Sequence, residues 1–375
     1  MLKRLCIIDP VFTRYRLPVF LELARHYQVD WLFSPSPLEL GFGSMPCPQT
    51  PGLRLIVIPV LRPFGERIGM IQWGLARYLV KERPDAVFAS ANLNWLSFWT
   101  TLILARLMGI PFYAHGHGFF KRRQIGFARQ LMMNLLLRLA TSYVAYAPLA
   151  RQSLAAQGFR LEKVSMVHNS LTNSFPVQPH EKTGIERGIL FVGRLRRGCN
   201  LELLVRVMER IRQEQGLPLT LQIVGAGEEG LLLHTRFGNR SWVQFHGEIY
   251  DDERIRNISR ECFLGCYPGN AGLSVVHMMS LSLPVITHGD LRSHQGPEPS
   301  YIRDGISGVL FDYCNPEKSL YGALKSLALN TSRVASMQRS AFEDYQSLVH
   351  PSYAERLKAV FEEGDAAGSL LLARS

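Results

Sequence analysis

The chain has 375 residues, too many for one small core, and at about 100–200 residues per domain this length predicts two domains. A hydrophobic content of 47% and a mean hydropathy near zero are typical of a globular protein and argue against long disordered segments. The net charge of +11 lies in the first half, because residues 1–180 hold 20 Lys/Arg against 8 Asp/Glu, whereas residues 181–375 hold 22 against 23.

The basic excess is concentrated in residues 86–161, which contain no acidic residue. The basic residues of this stretch are Arg106, Lys121, Arg122, Arg123, Arg129, Arg138, Arg151 and Arg160. A one-sided field of this kind favours an anionic partner, such as phospholipid headgroups, a phosphorylated substrate or nucleic acid. A solvated basic face without a partner is the alternative.

Cysteine spacing and the apolar runs bear on the compartment. The six cysteines form no CxxC pair and no metal-finger spacing, so we expect reduced thiols in the cytosol. The apolar run before Asp9 is too short for a signal peptide and predicts a first strand instead. Asn134 and Arg138 interrupt the most apolar stretch, residues 131–150, so we expect no membrane span.

Apolar strands alternate with amphipathic helices through the first half. Strands are predicted over residues 5–9, 28–33, 55–59, 86–90, 111–114, 143–146 and 164–168. Helices are predicted over residues 17–26, 67–82, 95–108 and 119–139, with a further helix that ends at Gly158, and a Pro/Gly-rich loop is predicted over residues 34–52. This alternation predicts a doubly wound parallel sheet that is covered on both faces.

The helix predicted over residues 119–139 is basic and amphipathic. Aromatic and aliphatic residues occupy one side, and Lys121, Arg122, Arg129 and Arg138 are available on the other. Such a helix lies well on an anionic membrane surface. A core-facing helix with a solvated basic edge fits the same pattern equally well.

The pattern restarts after a polar stretch that contains Pro176, Pro179 and Gly184. We therefore expect a first domain over residues 1–170, a linker over 171–187 and a second domain over 188–349. Residues 350–375 are expected to form a helix that packs on the first domain and ends in a frayed tail. The predicted strands of the second domain cover 189–193, 219–224, 243–246, 262–267 and 284–287. The helices cover 200–215, where Asn200 is the expected cap, and then 273–281, 316–329, 332–348 and 351–363.

Residues 268–311 stand out within this domain. A strand, a glycine turn and a helix start follow one another there, and such a junction offers unpaired N–H groups and a helix dipole to a phosphate. A polar loop with His288, Asp290, Arg292, His294, Glu298 and Arg303 comes next. The arrangement predicts half of an active site, although an ordinary βαβ connection with a polar surface loop is the alternative.

Several motifs resemble those of a known family. FVGRL (residues 191–195), VGAG (224–227), FHG (245–247), GLS (272–274), LPVI (283–286) and DGISG (304–308) follow the order and spacing of donor-domain motifs in glycosyltransferase family 4. TRYRLPVF, HGHG and the HNS of residues 168–170 resemble the first domain more loosely. The resemblance implies a GT-B fold of the α/β class, in which two Rossmann-like, doubly wound parallel-sheet domains face a cleft. It also implies a nucleotide diphosphate sugar as donor and retention of configuration.

The resemblance also assigns residues of the donor site. Arg194 is expected to bind the donor diphosphate as a catalytic residue, because a guanidinium suits the charge that grows there. Further donor-binding residues would be Gly193, Arg197, Gly225, Gly227, Gly269, Gly272, Leu273, Ser274 and His277. The family's lysine five positions after Arg194 is Cys199 here, and its paired glutamates fall on Gly269 and His277. GLSxxH followed by HxGPE is similar to a polysaccharide-building subgroup in which Glu298 supplies the missing carboxylate.

On the acceptor side the resemblance points to the turn HGHG. His117 is the catalytic candidate, since glycines on both sides leave it exposed, and His115, Arg14, Tyr15 and Arg16 complete the acceptor side. A packed or surface histidine without function is the ordinary alternative. We expect no metal and no other cofactor, because the family uses helix dipoles and basic side chains where other transferases use a divalent cation.

The sequence thus predicts a glycosyltransferase that acts on a lipid-linked or polysaccharide acceptor in cell-surface glycan synthesis, of the O-antigen, capsule or exopolysaccharide kind. We expect an enzyme bound peripherally to the inner face of the cytoplasmic membrane, with no nucleic acid partner. A catalytically silent GT-B binding or scaffold protein is the alternative, because the glutamates and the lysine are missing. An NAD-dependent dehydrogenase is disfavoured, since no GxGxxG precedes an acidic residue about 20 positions on.

Overall fold

The computed structural model describes residues 2–35, 51–62 and 69–372, with side chains up to residue 364. The chain divides into two compact units. The first contains the residues up to His168 together with those from Pro351 onward, and the second contains Asn169–His350. Cys47 and most of the loop predicted over residues 34–52 lie outside the described residues.

Within its described residues, the first unit contains a seven-stranded sheet with parallel pairing throughout and a separate short antiparallel pair, β4 and β5. The strands are β1 (Arg4–Val11), β2 (Gln28–Ser34), β3 (Leu53–Val57), β4 (Val60–Leu61), β5 (Ile71–Gln72), β6 (Ala86–Ser90), β7 (Phe112–Gly116), β8 (Ser142–Ala145) and β9 (Val164–Met166). The helices are α1 (Leu17–Leu23), α2 (Leu75–Glu82), α3 (Leu96–Leu107), α4 (Phe127–Leu139) and α5 (Pro148–Ala156).

The apolar run of β1 explains why this sheet is covered on both faces. Cys6 and Ile8 belong to one buried cluster, whereas Leu5 and Ile7 belong to another on the opposite side. Successive side chains of a strand point to opposite faces, so a continuous apolar strand needs helices on both. The strand order β3-β2-β1-β6-β7-β8-β9 is that of a doubly wound sheet.

The second unit, which is described throughout, has a six-stranded parallel sheet in the order β12-β11-β10-β13-β14-β15. Its strands are β10 (Gly188–Val192), β11 (Thr220–Val224), β12 (Val243–Phe245), β13 (Cys262–Cys266), β14 (Val285–His288) and β15 (Gly308–Phe311). Its helices are α6 (Leu201–Gln215), α7 (Gly230–Phe237), α8 (Asp252–Ser259), α9 (Ser274–Ser280), α10 (Pro316–Ala328) and α11 (Thr331–Val349).

The order of strands marks where a ligand binds in such a sheet. The chain moves outward from β10 through β11 to β12, then returns to the other side of β10 at β13 and moves outward again. Between β10 and β13 the direction reverses, and a crevice opens at the carboxyl ends of strands at such a switch point. Gly193 follows β10 and Pro268 follows β13, so both turns lie at this position.

The last helix, α12 (Tyr353–Leu372), belongs to the first unit. Phe361 is buried among the rings of Tyr27, Phe88 and Tyr113, and the Tyr113 hydroxyl donates a hydrogen bond to the Phe361 carbonyl at 3.1 Å. Ser352 Oγ donates to Glu22 of α1 at 2.5 Å. The helix continues to Leu372, whereas residues 373–375 of the tail predicted to fray lie outside the described residues.

Residues 169–187, most of them expected to form a linker, are packed on the second unit. Val177 is fully buried, its N–H donates to the Ser280 carbonyl at 3.0 Å, and Ser282 Oγ donates to the Val177 carbonyl at 2.6 Å. Asn173 Nδ2 donates to Ser280 Oγ at 2.8 Å. Long-range hydrogen bonds of this kind cannot be read from a polar, proline-containing stretch.

Two predicted helix starts and one predicted helix cap differ from the structure. Helix α4 begins at Phe127 rather than residue 119, because Phe119 and Phe120 are buried in a turn that ends at Gly126. Helix α2 begins at Leu75 after Gly74, which has φ 99°, although residue 67 itself lies outside the described residues. Asn200 precedes α6 in a left-handed conformation with φ 56°, and its side chain makes no cap hydrogen bond.

No helix among the described residues combines the length and the hydrophobicity that a bilayer crossing requires.

Replacing Phe361 by alanine should destabilise the first unit. Deleting a buried aromatic ring typically costs about 3–5 kcal/mol, so the midpoint of thermal unfolding should fall by several degrees. Lys358→Ala, on the same helix, removes only a surface pair with Glu362 and serves as the control. Equal midpoints for the two variants would show that α12 does not hold the first unit together.

Candidate active site

The turns after β10 and β13 are joined backbone to backbone. A Cβ at Gly269 would lie 2.1 Å from the Gly198 carbonyl oxygen and 2.7 Å from the Cys199 carbonyl carbon. The Asn270 N–H donates to the same Gly198 oxygen at 2.9 Å, and Arg196 Nη2 donates to the Asn270 oxygen at 2.7 Å. No residue with a side chain fits at position 269 in this arrangement.

The same contact between the two turns explains why position 199 holds a cysteine rather than the family's lysine. Its side chain is 1% exposed, and burial raises the pKa of its thiol. A lysine ammonium at this position would be buried without the water that stabilises its charge. Cys199 and Gly269, two of the three positions at which the sequence departs from the family pattern, therefore lie in two turns that contact each other.

Two further glycines bring the turn after β11 into the same contact. A Cβ at Gly225 would lie 1.9 Å from the Gly193 carbonyl oxygen, and one at Gly193 would lie 2.8 Å from Ser274 Oγ. Likewise, a Cβ at Gly227 would lie 2.3 Å from the Leu195 oxygen. The predicted donor-binding residues Gly193, Gly225, Gly227 and Ser274 are thus brought together. Arg194 is half-buried in the middle of this contact, whereas Arg197 is exposed.

The loop before Glu298 holds both backbone polar groups of one residue, Ala271, in the β13–α9 turn. His294 Nδ1 accepts a hydrogen bond from the Ala271 N–H at 3.1 Å, and the Gln295 N–H donates to the Ala271 oxygen at 2.9 Å. His294 Nε2 donates to the His288 oxygen at 2.8 Å. The N–H groups of Asn270 and Ala271 are therefore paired within the protein, contrary to the expectation of an unpaired turn.

A second imidazole supports this loop. The rings of His288 and His294 stack with centroids 3.8 Å apart and planes inclined by 5°. Burial lowers the pKa of His288 to about 4. With Nδ1 accepting and Nε2 donating, His294 uses both ring nitrogens as a neutral imidazole, so the pair braces the turn without charge.

Glu298 folds back over the start of α9. Its Oε2 lies 3.7 Å from the point where a Cβ on Gly272 would stand, and its side chain is 2% exposed. Its Oε1 accepts a hydrogen bond from Asn169 Nδ2. A Cβ at Gly296 would come within 2.0 Å of Oε2, so glycine at 296 leaves the space that the carboxylate occupies.

His277 lies in the first turns of α9, as the sequence indicates. Its Nε2 has no hydrogen-bond partner among the described residues. Burial lowers the pKa of the ring, and the charge of Asp252 works in the opposite direction without reversing the shift. His277 is therefore a neutral group with an unused ring nitrogen.

On the first unit, His115 is buried inside a hydrogen-bond chain. Its Nδ1 is 2.6 Å from the Tyr146 hydroxyl, and its Nε2 is 3.3 Å from Ser90 Oγ, which donates to Asp9 at 2.8 Å. Burial lowers the pKa of His115. Burial opposes ionisation of Asp9 as well, but hydrogen bonds from His115 and Ser90 outweigh it and lower the pKa of Asp9. The chain joins an ionised Asp9 to a neutral His115.

Arg16, expected on the acceptor side, is also buried. Its guanidinium lies over the Tyr353 ring at 4.5 Å and over the Tyr15 and Tyr146 rings at 5.3 and 5.4 Å. It lines a cavity of about 100 Å³ together with Asp9, His115 and other residues of the first unit. Arg14 is half-buried and Tyr15 is exposed, and neither lines the larger cavity described next.

His117 is the exposed member of the histidine pair. Its ring meets Tyr146 edge to face at 4.6 Å and lines a cavity of about 300 Å³ with Asn92, His115 and Met133. Although the residue is exposed, partial burial of the ring, followed by the charge of Lys121, lowers the pKa of His117. The ring is therefore a neutral group at the wall of an open cavity.

The sequence analysis missed Asp9, Ser90, Tyr146 and Asn169. Asp9 lies two residues before the carboxyl end of β1, Ser90 lies at the end of β6, and Tyr146 lies just after β8. A search for polar residues at every strand end would have found them, since those ends meet at one edge of a parallel sheet. Among the described residues, no group of three or more His, Cys, Asp or Glu side chains is arranged to hold a metal ion.

Two family models together match most of the chain. The model described as "Glycosyl transferase 4-like domain" matches residues 14–170, and the model described as "Glycosyl transferases group 1" matches residues 186–330. The chain is a glycosyltransferase. By sequence, no curated protein matches it.

Solved structures show that this glycosyltransferase has the GT-B fold. HepE of Anabaena, solved in complex with UDP, is 15% identical with a TM-score of 0.70, and the match covers 97% of this chain and 100% of HepE. Sucrose-phosphate synthase of Thermosynechococcus elongatus is 16% identical with a TM-score of 0.71 and the same coverage. The lipopolysaccharide outer core galactosyltransferase WaaB is 13% identical with a TM-score of 0.64, and the match covers 96% of this chain and 100% of WaaB.

Two neighbouring glycines of this glycosyltransferase should respond differently to one added methyl group. Gly269→Ala should lower the unfolding midpoint, because its Cβ would overlap the Gly198 oxygen. Gly272→Ala should leave the midpoint nearly unchanged, since its Cβ meets only ordinary contacts at 3.7 Å, yet reduce donor binding by covering Glu298 Oε2. Thermal unfolding and calorimetric titration with nucleotide sugars measure both effects. A stable Gly269→Ala variant would contradict the contact between the two turns.

Proposed function

We propose that this glycosyltransferase transfers a sugar from a nucleotide diphosphate donor held by the second unit to a lipid-linked or polysaccharide acceptor held by the first. A uridine nucleotide is the first donor to test, because HepE is solved in complex with UDP-glucose. Retention of configuration and a hexose as the transferred sugar are part of the proposal. The observation that carries it is the meeting of three glycine turns and the start of α9 around Gly193.

The donor diphosphate is proposed to bind at this meeting point. Arg194 follows Gly193 directly, and Gly193 lies against Ser274 at the start of α9. Among the described residues, no backbone carbonyl of a neighbouring element accepts from the N–H groups of Gly272, Leu273 and Ser274, whereas Asn270 donates to Gly198 and Ala271 donates to His294. A guanidinium and outward N–H groups together stabilise the negative charge that a departing nucleotide diphosphate acquires.

We propose that packing, rather than lost catalysis, explains the missing glutamate at position 269. At position 269 the neighbouring turn excludes any side chain, and Cys199 is buried in that same turn. A buried carboxylate, Glu298, reaches the start of α9 from another loop, and His277 offers an unused ring nitrogen. We propose that Glu298 orients sugar hydroxyls and that His277 binds the donor. The alternative of a catalytically silent protein predicts binding of nucleotide sugars without transfer.

The acceptor is proposed to enter the cavity of about 300 Å³ beside His117. Met133 of α4 lines this cavity, and the same helix exposes Phe127, Leu131 and Leu135 at 83%, 59% and 43%. These three residues recur every four positions and so share one face of α4. We propose that the cavity takes the sugar head of the acceptor and that the exposed apolar face of the same helix contacts its lipid tail.

The exposed face of α4 supports peripheral binding to an anionic membrane. Arg122 and Arg123 lie exposed in the turn before α4, and the stretch without acidic residues surrounds them. An apolar face flanked by basic side chains is typical of a surface that rests on acidic lipid. We propose a location on the inner face of the cytoplasmic membrane, where cell-surface glycan chains such as O-antigen, capsule or exopolysaccharide are built on lipid carriers.

The proposed chemistry is tested with a panel of nucleotide sugars and a lipid-linked acceptor. Wild-type protein should release the nucleotide and form a glycoside, and Arg194→Ala should lower turnover by about 10²-fold or more. Arg206→Ala removes an exposed arginine of α6 in the same unit and should leave turnover unchanged. Binding of a nucleotide sugar without transfer to any acceptor would favour the catalytically silent alternative.

Membrane binding is tested separately by sedimentation with vesicles. Binding of the wild-type protein to vesicles with acidic lipid should weaken as the salt concentration rises. It should also be weaker than wild type in the double variants Phe127→Ser/Leu131→Ser and Arg122→Gln/Arg123→Gln. Leu231→Ser/Leu232→Ser, which removes two exposed leucines of the second unit, is the matched control. Equal binding to neutral vesicles, or equal loss in the control, would overturn the assignment of this surface.

A further inference from the structure

Glu298 is a buried carboxylate, and its position depends on two other residues. With only 2% of its surface exposed, it needs partners that hold its charge in place. Asn169 Nδ2 donates to Oε1, and Asn169 is itself only 3% exposed. The contact joins residues 129 positions apart in the sequence, so no local pattern specifies it.

The hydrogen bond from Asn169 distinguishes the two carboxylate oxygens. Oε1 is occupied by the amide, and Oε2 points over the first turn of α9, 3.7 Å from the place of a Cβ on Gly272. Gly296 leaves the space for this orientation, because a methyl group there would overlap Oε2 at 2.0 Å. The amide and the glycine together select one orientation of the carboxylate.

We propose that Asn169 is a positioning residue, which together with Gly296 directs the Oε2 oxygen of Glu298 toward the sugar of the donor. This inference rests on the proposed function, since it deepens the role given there to Glu298. It assigns a role to the first residue of the second unit, at the point where the chain leaves the first unit. Asn169 acts through Glu298 and is not itself a catalytic residue.

An asparagine suits this position because its NH₂ group can only donate, whereas a carboxylate can only accept. Asn169→Asp would place two carboxyl groups in hydrogen-bond contact, and two such groups cannot both ionise without a large cost. One proton would be shared by the pair over a wide pH range. The nearest titratable group on the same loop, His294, has both ring nitrogens engaged with Ala271 and the His288 carbonyl.

The decisive measurement is kcat/KM against pH for the nucleotide sugar that the panel selects. In Asn169→Asp the acidic limb should move up by about one pH unit or more, because the ionised form of the pair is lost as pH falls through a raised pKa. The Kd for UDP, which lacks the sugar, should stay within about twofold of wild type. A purely structural role would lower activity at all pH values and would not separate UDP from the nucleotide sugar.

Asn173→Asp is the matched control. Asn173 lies four residues away, is 4% exposed and donates through Nδ2 to the hydroxyl of Ser280 rather than to a carboxylate. The control carries the same burial cost without a carboxylate partner, so its acidic limb should coincide with that of wild type. An unshifted limb in Asn169→Asp, or an equal shift in both variants, would overturn the inference.

A double-mutant cycle covers the case in which Asn169→Asp does not fold. Asn169→Ala should lower turnover on its own but have no further effect in a Glu298→Ala background, because the two residues act as a unit. Additive losses would refute the positioning role while leaving the role of Glu298 intact. Wild-type turnover in Glu298→Gln would instead refute the proposed role of Glu298, so the two failures are distinguishable.

Discussion

The contact between Gly198 and Gly269 is the constraint on which the donor side of this glycosyltransferase depends. Two turns after adjacent central strands approach so closely that a Cβ at position 269 would lie 2.1 Å from a carbonyl oxygen. A hydrogen bond from Asn270 to the same oxygen fixes their separation. Because the approach is between backbones, it leaves no room for the side chain that the family pattern would place there. In the proposed site, Glu298 from another loop supplies the carboxylate instead.

The loop that supplies this carboxylate is held by hydrogen bonds to the same turn. His294 and Gln295 bind the N–H and the carbonyl of Ala271, which fixes the loop before it reaches Glu298. Because both backbone polar groups of Ala271 are paired in this way, neither is left desolvated without a partner, and the residue costs little to keep rigid. Rigidity matters here, because stabilisation of charge in a transition state requires groups that are already in place.

In the first unit, too, hydrogen bonds between buried groups hold side chains in place beside a cavity, but the groups are different. Asp9 and Ser90 hold His115, which in turn holds the hydroxyl of Tyr146, and the Tyr146 ring meets His117. His115, which the sequence placed beside His117, is therefore a member of this hydrogen-bond chain, and it lines the same cavity as His117. Burial keeps His115 neutral, so the chain can orient its neighbours without bringing a second charge to the cavity.

The sequence by itself determined the class of fold and the positions along the chain at which a site is proposed. Apolar strands such as β10 and β13, each followed by glycine, specify parallel strands with turns at their carboxyl ends, and this information is local. It also offered Glu298 as a candidate through the resemblance of GLSxxH and HxGPE, although whether its loop folds back over the start of α9 was left to the structure. Predictions of this kind succeed because hydrophobic period and turn chemistry act over a few residues.

Only the tertiary structure decided which of these residues touch. Asn169 meets Glu298 across 129 positions, and Asp9 meets Ser90 across 81. Helix α4 starts at Phe127 rather than at residue 119 because Phe119 and Phe120 are buried in tertiary contacts. The residues expected to form a linker belong to the second unit, to which hydrogen bonds with Ser280 and Ser282 join them. The physical reason is the same in each case. Close approach and hydrogen bonding depend on distances between elements, and a linear pattern of residue types does not contain those distances.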